Sequence, residues 1–298
     1  GSYFSPLVYS FTNVSSAMSK DATNNVNEYT KGEKYDPPFA NEAKSYKQLR
    51  EKQSLKRAEL LSNPKRFQRI TEREDRTEVP LQTRINISLG KHTPTYRGFD
   101  ICKCPIDYVL YRQLFEMLKP KTVIELGTLS GGMAIWIADT LDLLGVKANI
   151  YSMDIDPSNR SDLVNKLKPE NVTFLQGDSH KIEETLTDEF MKSLPHPWVF
   201  SEDAHANLDG VLEHFHRYMQ EGDYMVIEDT GPDLVLQVDL QKAGEGGGYT
   251  PVGPKQLQCF RRFLADHEEY YAVDSFLTDM YGYNCSWHWH GFVRRMKN

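Results

Sequence analysis

Apolar and polar positions follow two regimes along the chain. From about residue 100 onward, short β-branched runs recur at fairly even spacing: TVIEL (122–126), ANIYSMD (148–154), NVTFLQGD (171–178), PWVFSED (197–203) and DYMVIED (223–229). Between them lie stretches of helical length and composition, GGMAIWIADTLDLL, SDLVNKLK, KIEETLTDEFMKSL and LDGVLEHFHRYMQ. A preceding stretch, DYVLYRQLFEML (107–118), puts Leu110, Leu114, Met117 and Leu118 on one helical face. Strands this apolar cannot be half-exposed. Alternating with helices, they predict βα units and a mostly parallel α/β sheet covered on both faces.

Before residue 100 the pattern weakens. Residues 1–40 are rich in Ser, Asn, Thr and Tyr without a helical period, and read as an extended arm. NEAKSYKQLREKQSLKRAELLS (41–62) is strongly helix-forming but weakly amphipathic, and Asn63-Pro64 stops it, which predicts a surface or interface helix. The expected division is an N-terminal arm and helical extension over 1–95, serving as lid or interface, and a core over 96–298. Such an extension offers a route to a homo-oligomer.

Charge and composition narrow the class. With 35 basic against 42 acidic residues the net charge is −7, whereas a general nucleic-acid surface needs clustered Lys and Arg. No apolar run approaches the ~18 residues that span a bilayer. The start, GSYFSPLVYSF, lacks the charged-then-apolar order of a secretory signal. Cys102, Cys104, Cys259 and Cys285 form no CxxC pair and no zinc spacing, so reduced thiols and a cytoplasmic location are expected. The chain begins without Met, and the natural protein is expected to extend further in that direction.

Open parallel sheets bind ligands outside the carboxyl ends of their strands. The first such end reads VIELGTLSGGMA: Glu125 and Gly127 close the strand, Thr128 follows, and Gly131-Gly132 open a helix. Glycines there let backbone approach a ligand closely, or simply serve a tight strand-to-helix turn. The spacing, E-x-G-x-x-x-G-G, is not the GxGxxG of a dinucleotide site. The second end, SMDIDPSN, places Asp154 to accept from ribose hydroxyls, with Asp156 as the cap of the next turn. The third, QGDSH, places Asp178 to accept an adenine amino proton, with Ser179 beside it.

VIELGTLSGG, SMDID and FLQGD resemble the motifs of class I S-adenosylmethionine-dependent methyltransferases. The narrower resemblance, over roughly residues 90–298, is to the cephalosporin-hydroxylase-like group and its macrolide-sugar and rhamnosyl O-methyltransferase relatives. It is carried by GFDICKCPIDYVLYRQLFEMLKPKTVIELGTLSGG, by an ED at the fourth strand, an EDT after the fifth, and by YGYNCSWHWHGFVRR. The resemblance implies a doubly wound, Rossmann-like sheet of seven strands with the last antiparallel. It also implies that Glu125, Gly127 and Gly131 line the methionine part of the cofactor, Asp154 the ribose and Asp178 the adenine.

The fourth and fifth strands run into carboxylates, Asp203 and Glu228-Asp229. On neighbouring strands these acids would repel one another without a cation among them. Oxygen-only ligands suit Mg²⁺ or another divalent cation, and the resembling family binds its metal with acids at these positions. The expected reaction is metal-dependent transfer of a methyl group from S-adenosylmethionine to a hydroxyl of a small molecule, such as a polyketide or sugar-bearing natural product, free or carrier-bound. A nicotinamide-dependent oxidoreductase and a non-catalytic cofactor-binding scaffold are the alternatives. In EDAHAN the family's histidine position is Ala206; His205 stands one residue earlier and is the candidate general base, with Asp203 as its catalytic neighbour. An alternative register makes Glu202 the ligand. His214 and His216 read as surface or core residues. His288 and His290 alternate along an expected strand, so that one can face the substrate. The glycine-rich AGEGGGYTPVGP (243–254) reads as a loop over the pocket.

Overall fold

The computed structural model describes residues 45–232 and 252–298. The arm expected over 1–40 and most of the glycine-rich segment lie outside the described residues. The chain divides into two compact units, residues 1–63 and 64–298. In the first, helix α1 (Tyr46–Ser62) starts where Ser45 Oγ accepts from the Gln48 amide at 3.3 Å. It stops at Asn63, which is extended as the residue before a proline must be. No side chain of α1 is buried.

Among its described residues the second unit contains ten strands: β1 (Phe67–Gln68), β2 (Thr95–Tyr96), β3 (Phe99–Asp100), β4 (Thr122–Leu126), β5 (Asn149–Asp154), β6 (Val172–Gln176), β7 (Trp198–Glu202), β8 (Tyr224–Ile227), β9 (Tyr271–Asp274) and β10 (Phe292–Arg295). All five apolar runs read from the sequence form strands. Strands β2 and β3 make a separate hairpin, turned by Arg97 and Gly98 at positive φ. The other eight form one sheet in the order β1-β9-β10-β8-β7-β4-β5-β6. Strands β4 to β8 are parallel, and β10 runs antiparallel between β8 and β9. Seven of the eight are the expected sheet. The eighth, β1, is a two-residue edge strand held by Arg66, whose Nε and Nη2 donate to the two oxygens of Asp274 at 2.7 and 2.5 Å. The core unit therefore starts at Pro64, and residues 64–95 belong with it rather than with the extension. No apolar periodicity marks them, because polar clamps of this kind attach them.

The central strands β4, β7 and β8 are buried on both faces, β5 and the edge strand β6 only in part, and residue parity decides which layer a side chain joins. Val123, Val199 and Val226 pack with Leu110, Tyr111, Leu114 and Phe115 of α2 (Pro105–Leu118) and with α3 (Gly132–Leu143). Ile124, Phe200 and Ile227 pack on the opposite side, with α4 (Leu208–His216) and α5 (Val252–Asp266). The buried stripe of α2 is rotated from expectation: Tyr111 and Phe115 hold the places foreseen for Met117 and Leu118, which are half-buried. Strand order reverses between β4 and β7, and that is where an open sheet offers its ligand crevice. Among the described residues no helix is long and apolar enough to cross a membrane.

Candidate active site

Backbone pairing continues one step beyond the strand ends. Gly127 donates to Met153 O at 2.8 Å, Asp203 to Leu126 O at 2.8 Å, and Glu228 to Glu202 O at 3.0 Å. The glycine turn and the acids thus meet at the switch point. Gly127 has φ +99°, and a Cβ on it would stand 2.7 Å from the Asp203 carbonyl carbon, so only glycine fits.

Beneath this turn Ser152 Oγ donates to Glu125 Oε2 at 2.5 Å and lies 2.7 Å from Thr128 Oγ1. All three side chains are buried, and burial pushes the Glu125 pKa up to about 8. Glu125 and Thr128 therefore hold from below the turn that the resemblance expects Glu125, Gly127 and Gly131 to offer to the methionine part of the cofactor. Glu125 shares the face of Val123.

Asp154 Oδ2 accepts from the Leu129 amide at 2.9 Å and Oδ1 from the Asp156 amide at 3.0 Å. Leu129 and Ile155, beside this carboxylate, are apolar yet 53% and 63% exposed. Apolar surface flanking a fixed acceptor suits a nucleoside, which offers a flat base and two ribose hydroxyls. Asp178 Oδ1 accepts from the His180 amide at 2.8 Å, which holds its pKa below the ordinary value, and Ser179 is buried beside it. Asp156 caps the turn after it, accepting from Ser158 N at 2.9 Å. Gly131, at φ +86°, starts α3, and a Cβ there would press on Val164 at 2.9 Å.

The acids form a second cluster at the neighbouring edge. His205 Nε2 lies 3.2 Å from Asp203 Oδ1 and 3.5 Å from Asp229 Oδ2. One ligand atom from each of Asp203, His205 and Asp229 falls within 4.8 Å of the others. Lys103 Nζ donates to Asp203 Oδ2 at 2.6 Å and to Glu228 Oε2. Glu228 Oε1 accepts from Tyr111 at 2.5 Å and from Ser201 at 3.0 Å. The three acids do gather at one edge, but Glu228 faces inward and His205 takes the place expected for it among the potential ligand atoms. Parity again supplies the reason. Ser201 and Asp203 share the face of Val199, and Glu228 that of Val226, so these side chains meet Tyr111 and Lys103 on the α2 side.

The same rule separates Glu202 from Asp203. Glu202 lies on the opposite face, fully buried, where its Oε1 accepts from the His205 amide at 2.9 Å and its Oε2 from Gln256 Nε2 at 3.2 Å. Burial pushes its pKa up to about 7. Glu202 anchors the His205 loop and is not part of the ligand cluster.

Burial disfavours charge on every group here, and the partners decide the outcome. Burial works to lower the His205 pKa, but Asp203 and Asp229 outweigh it and push the value up to about 11. Burial works to raise Asp203, while Lys103 and His205 hold it well below the usual carboxylate range. Glu228 is raised by burial and by Asp203. In this arrangement, with no cation between them, the two carboxylates favour the protonated form of His205.

The sequence reading missed Lys103, Tyr111 and His288 as members of the cluster. For Lys103 a signal exists: Phe99 and Ile101 point inward, and period two carries Lys103 inward with them. His288 and His290 lie in turns before β10, not on a strand, and both are buried. His288 Nδ1 accepts from the Asp229 amide at 3.1 Å, and its Nε2 lies 3.2 Å from Asp107 Oδ2. His290 instead meets Arg73 Nε at 2.9 Å and Asp75 at 3.1 Å, away from the acids. His214 is buried and His216 half-buried on α4, as core residues.

The profile of the rhamnosyl O-methyltransferase/CmcI family matches residues 91–296. Among solved structures, apo CmcI is similar at 24% identity and a TM-score of 0.53, covering 70% of this chain and 78% of that one. A CmcI structure holding Mg and S-adenosylmethionine is similar at 26% identity and a TM-score of 0.51, covering 69% and 77%. No curated protein matches the chain.

Proposed function

The chain belongs to the rhamnosyl O-methyltransferase/CmcI family, as an S-adenosylmethionine-dependent O-methyltransferase, and from that premise we propose that it methylates a small-molecule hydroxyl beside a divalent cation held by its acid edge. The carrying observation is the position of the Asp203–His205–Asp229 cluster against the Gly127 turn and the Asp154 mouth. Methyl transfer needs an electrophilic carbon and an oxygen nucleophile held in line, and two adjoining clusters supply two such places. The similar CmcI structure with Mg and S-adenosylmethionine supports the same pairing here.

The residues fit both groups. Asp154, flanked by Leu129 and Ile155, would hold the nucleoside part of the donor, with Asp178 and Ser179 toward its base and Gly127 and Gly131 admitting its methionine end. Asp203 and Asp229, with Glu228 or His205 as the third ligand, would hold Mg²⁺ or a similar ion; half-buried carboxylates beside the buried Glu228, already drawing in Lys103 and His205, are sites of cation demand. Such an ion, when bound, stabilises an ionised oxygen and draws carboxylate charge away from His205. The protein's own groups do the rest. His205 Nε2 faces Asp203 and Asp229, and would serve a hydroxyl at the edge, as donor or as proton acceptor, once those carboxylates no longer hold it. Glu202 and Gln256 fix the loop that carries it. The acceptor is proposed to be a polyketide or sugar-bearing natural product, free or carrier-bound.

The test is calorimetry with S-adenosylhomocysteine followed by transfer assays with labelled donor, each with Mg²⁺ and with chelator. Cofactor binding in both conditions, and turnover only with metal, is the expected result. Full turnover in chelator removes the cation from the reaction, and binding of NAD in place of the homocysteine compound overturns the donor assignment.

A further inference from the structure

Lys103 lies only 6% exposed, with its ammonium between Asp203 and Glu228. A buried ammonium is costly unless ionised partners surround it, and two do. The chain holds it there firmly. Phe99 and Ile101 are buried on the same side, and both stand against α3 where any Cβ on Gly132 would meet them at 2.7 Å. Immediately after Lys103, the Cys104 amide donates to Asp107 Oδ2 at 3.2 Å and opens α2. Two turns on, Tyr111 of that helix donates to the same Glu228. One continuous stretch thus grips Glu228 twice.

We propose that Lys103 is a resident countercharge of the acid edge, offsetting charge on Asp203 and Glu228 so that it opposes the uptake of a divalent cation there and holds the acids together without one. Lys103 Nζ and a cation held by the edge draw on the same carboxylates, Asp203 and Glu228. Lys103 acts through Asp203 and Glu228 and touches no reacting atom; it is a positioning residue. By cancelling part of the local field it weakens the edge's hold on the cation, and it keeps the carboxylates in place when no cation is bound. The inference rests on the metal reading above.

Manganese titration followed by electron paramagnetic resonance, on the full chain without methyl donor, tests it together with thermal unfolding in chelator and in saturating Mn²⁺. Lys103→Met is expected to bind Mn²⁺ at least about tenfold tighter than wild type, since the opposing charge is gone. It is also expected to melt lower in chelator and to recover in Mn²⁺, while Lys103→Arg stays near wild type in both. Should Lys103→Met fail to fold, the double variant Lys103→Met/Glu228→Gln removes both members of the pair and is expected to fold and melt near wild type in chelator. Failure of that variant as well overturns the proposal. Equal or weaker Mn²⁺ binding by Lys103→Met, with wild-type binding intact, overturns the countercharge role and leaves the metal reading standing. Absence of binding in both proteins overturns the two together.

Discussion

A Cβ on Gly127 would stand 2.7 Å from the carbonyl carbon of Asp203. The turn beside the nucleoside mouth and the strand that delivers the first acid therefore touch through backbone, with no side chain between them. The proposed donor and acceptor sites are set relative to one another by hydrogen-bonded strand ends. Side-chain rotation cannot alter that spacing.

Gly127→Ala should show the consequence. The residue sits at φ +99°, where a Cβ is strained even in open space, and here it also meets backbone that cannot yield. Calorimetry is expected to show loss of S-adenosylhomocysteine binding, with turnover falling on the order of 100-fold because an ångström of misplacement matters that much. Retention of both would mean that the turn is not part of the donor site.

Asp203→Asn removes the partner shared by Lys103 and His205. Turnover is expected to fall at least about 100-fold, the scale of a lost proton-transfer or charge-stabilising group. The His205 pKa should fall as well, since Asp203 is among the groups that raise it. Nuclear magnetic resonance titration of the imidazole checks this, and an unchanged pKa would contradict the pairing.

Glu125 gives a pH-dependent prediction. Burial pushes its pKa from 4.5 up to about 8, so the folded protein holds that proton more tightly than the unfolded chain. Its contribution to stability is full below about pH 4.5 and is lost as pH rises through about 8. Glu125→Gln imitates the protonated form. Its melting temperature is expected to match wild type near pH 5 and exceed it near pH 9; thermal unfolding across that range decides, and a parallel offset at every pH contradicts the assignment.

Arg73 tests whether residues 64–95 belong to the core. Its buried guanidinium makes a two-pronged pair with Asp279, at 2.7 and 2.9 Å, and also donates to His290 Nδ1 at 2.9 Å. Arg73→Met leaves these groups facing an apolar stem. Denaturant unfolding is expected to show a loss of about 3–5 kcal/mol, the cost of breaking one side of a buried ion pair. A loss below about 1 kcal/mol would class the segment as peripheral.

Much of this protein was readable before any coordinates. Burial on both faces of a parallel sheet forces strands into continuous apolar runs, and those runs marked β4 to β8 with their ends within a residue or two. Because ligands of such sheets gather at strand ends, Gly127, Asp154, Asp178, Asp203, Glu228 and Asp229 were reachable by reading from the last residue of each strand to two positions beyond it. The stretch from Pro64 to residue 95 was not legible, since Arg66 and Arg73 attach it through ion pairs with Asp274 and Asp279, some two hundred positions away. Polar long-range pairs leave no periodicity in a sequence.

What the order of residues determined alone was the sheet, its helices and the list of acids at its edge. Which of those acids face outward was decided only in three dimensions, because a strand turns successive side chains to opposite layers and the neighbouring layers differ. Asp203 met Lys103 and His205, Glu202 met Gln256, and Glu228 turned inward to Tyr111 and Ser201. The protonation of His205 followed from those meetings, since a charge in a buried site is set by whatever stands within a few ångströms of it.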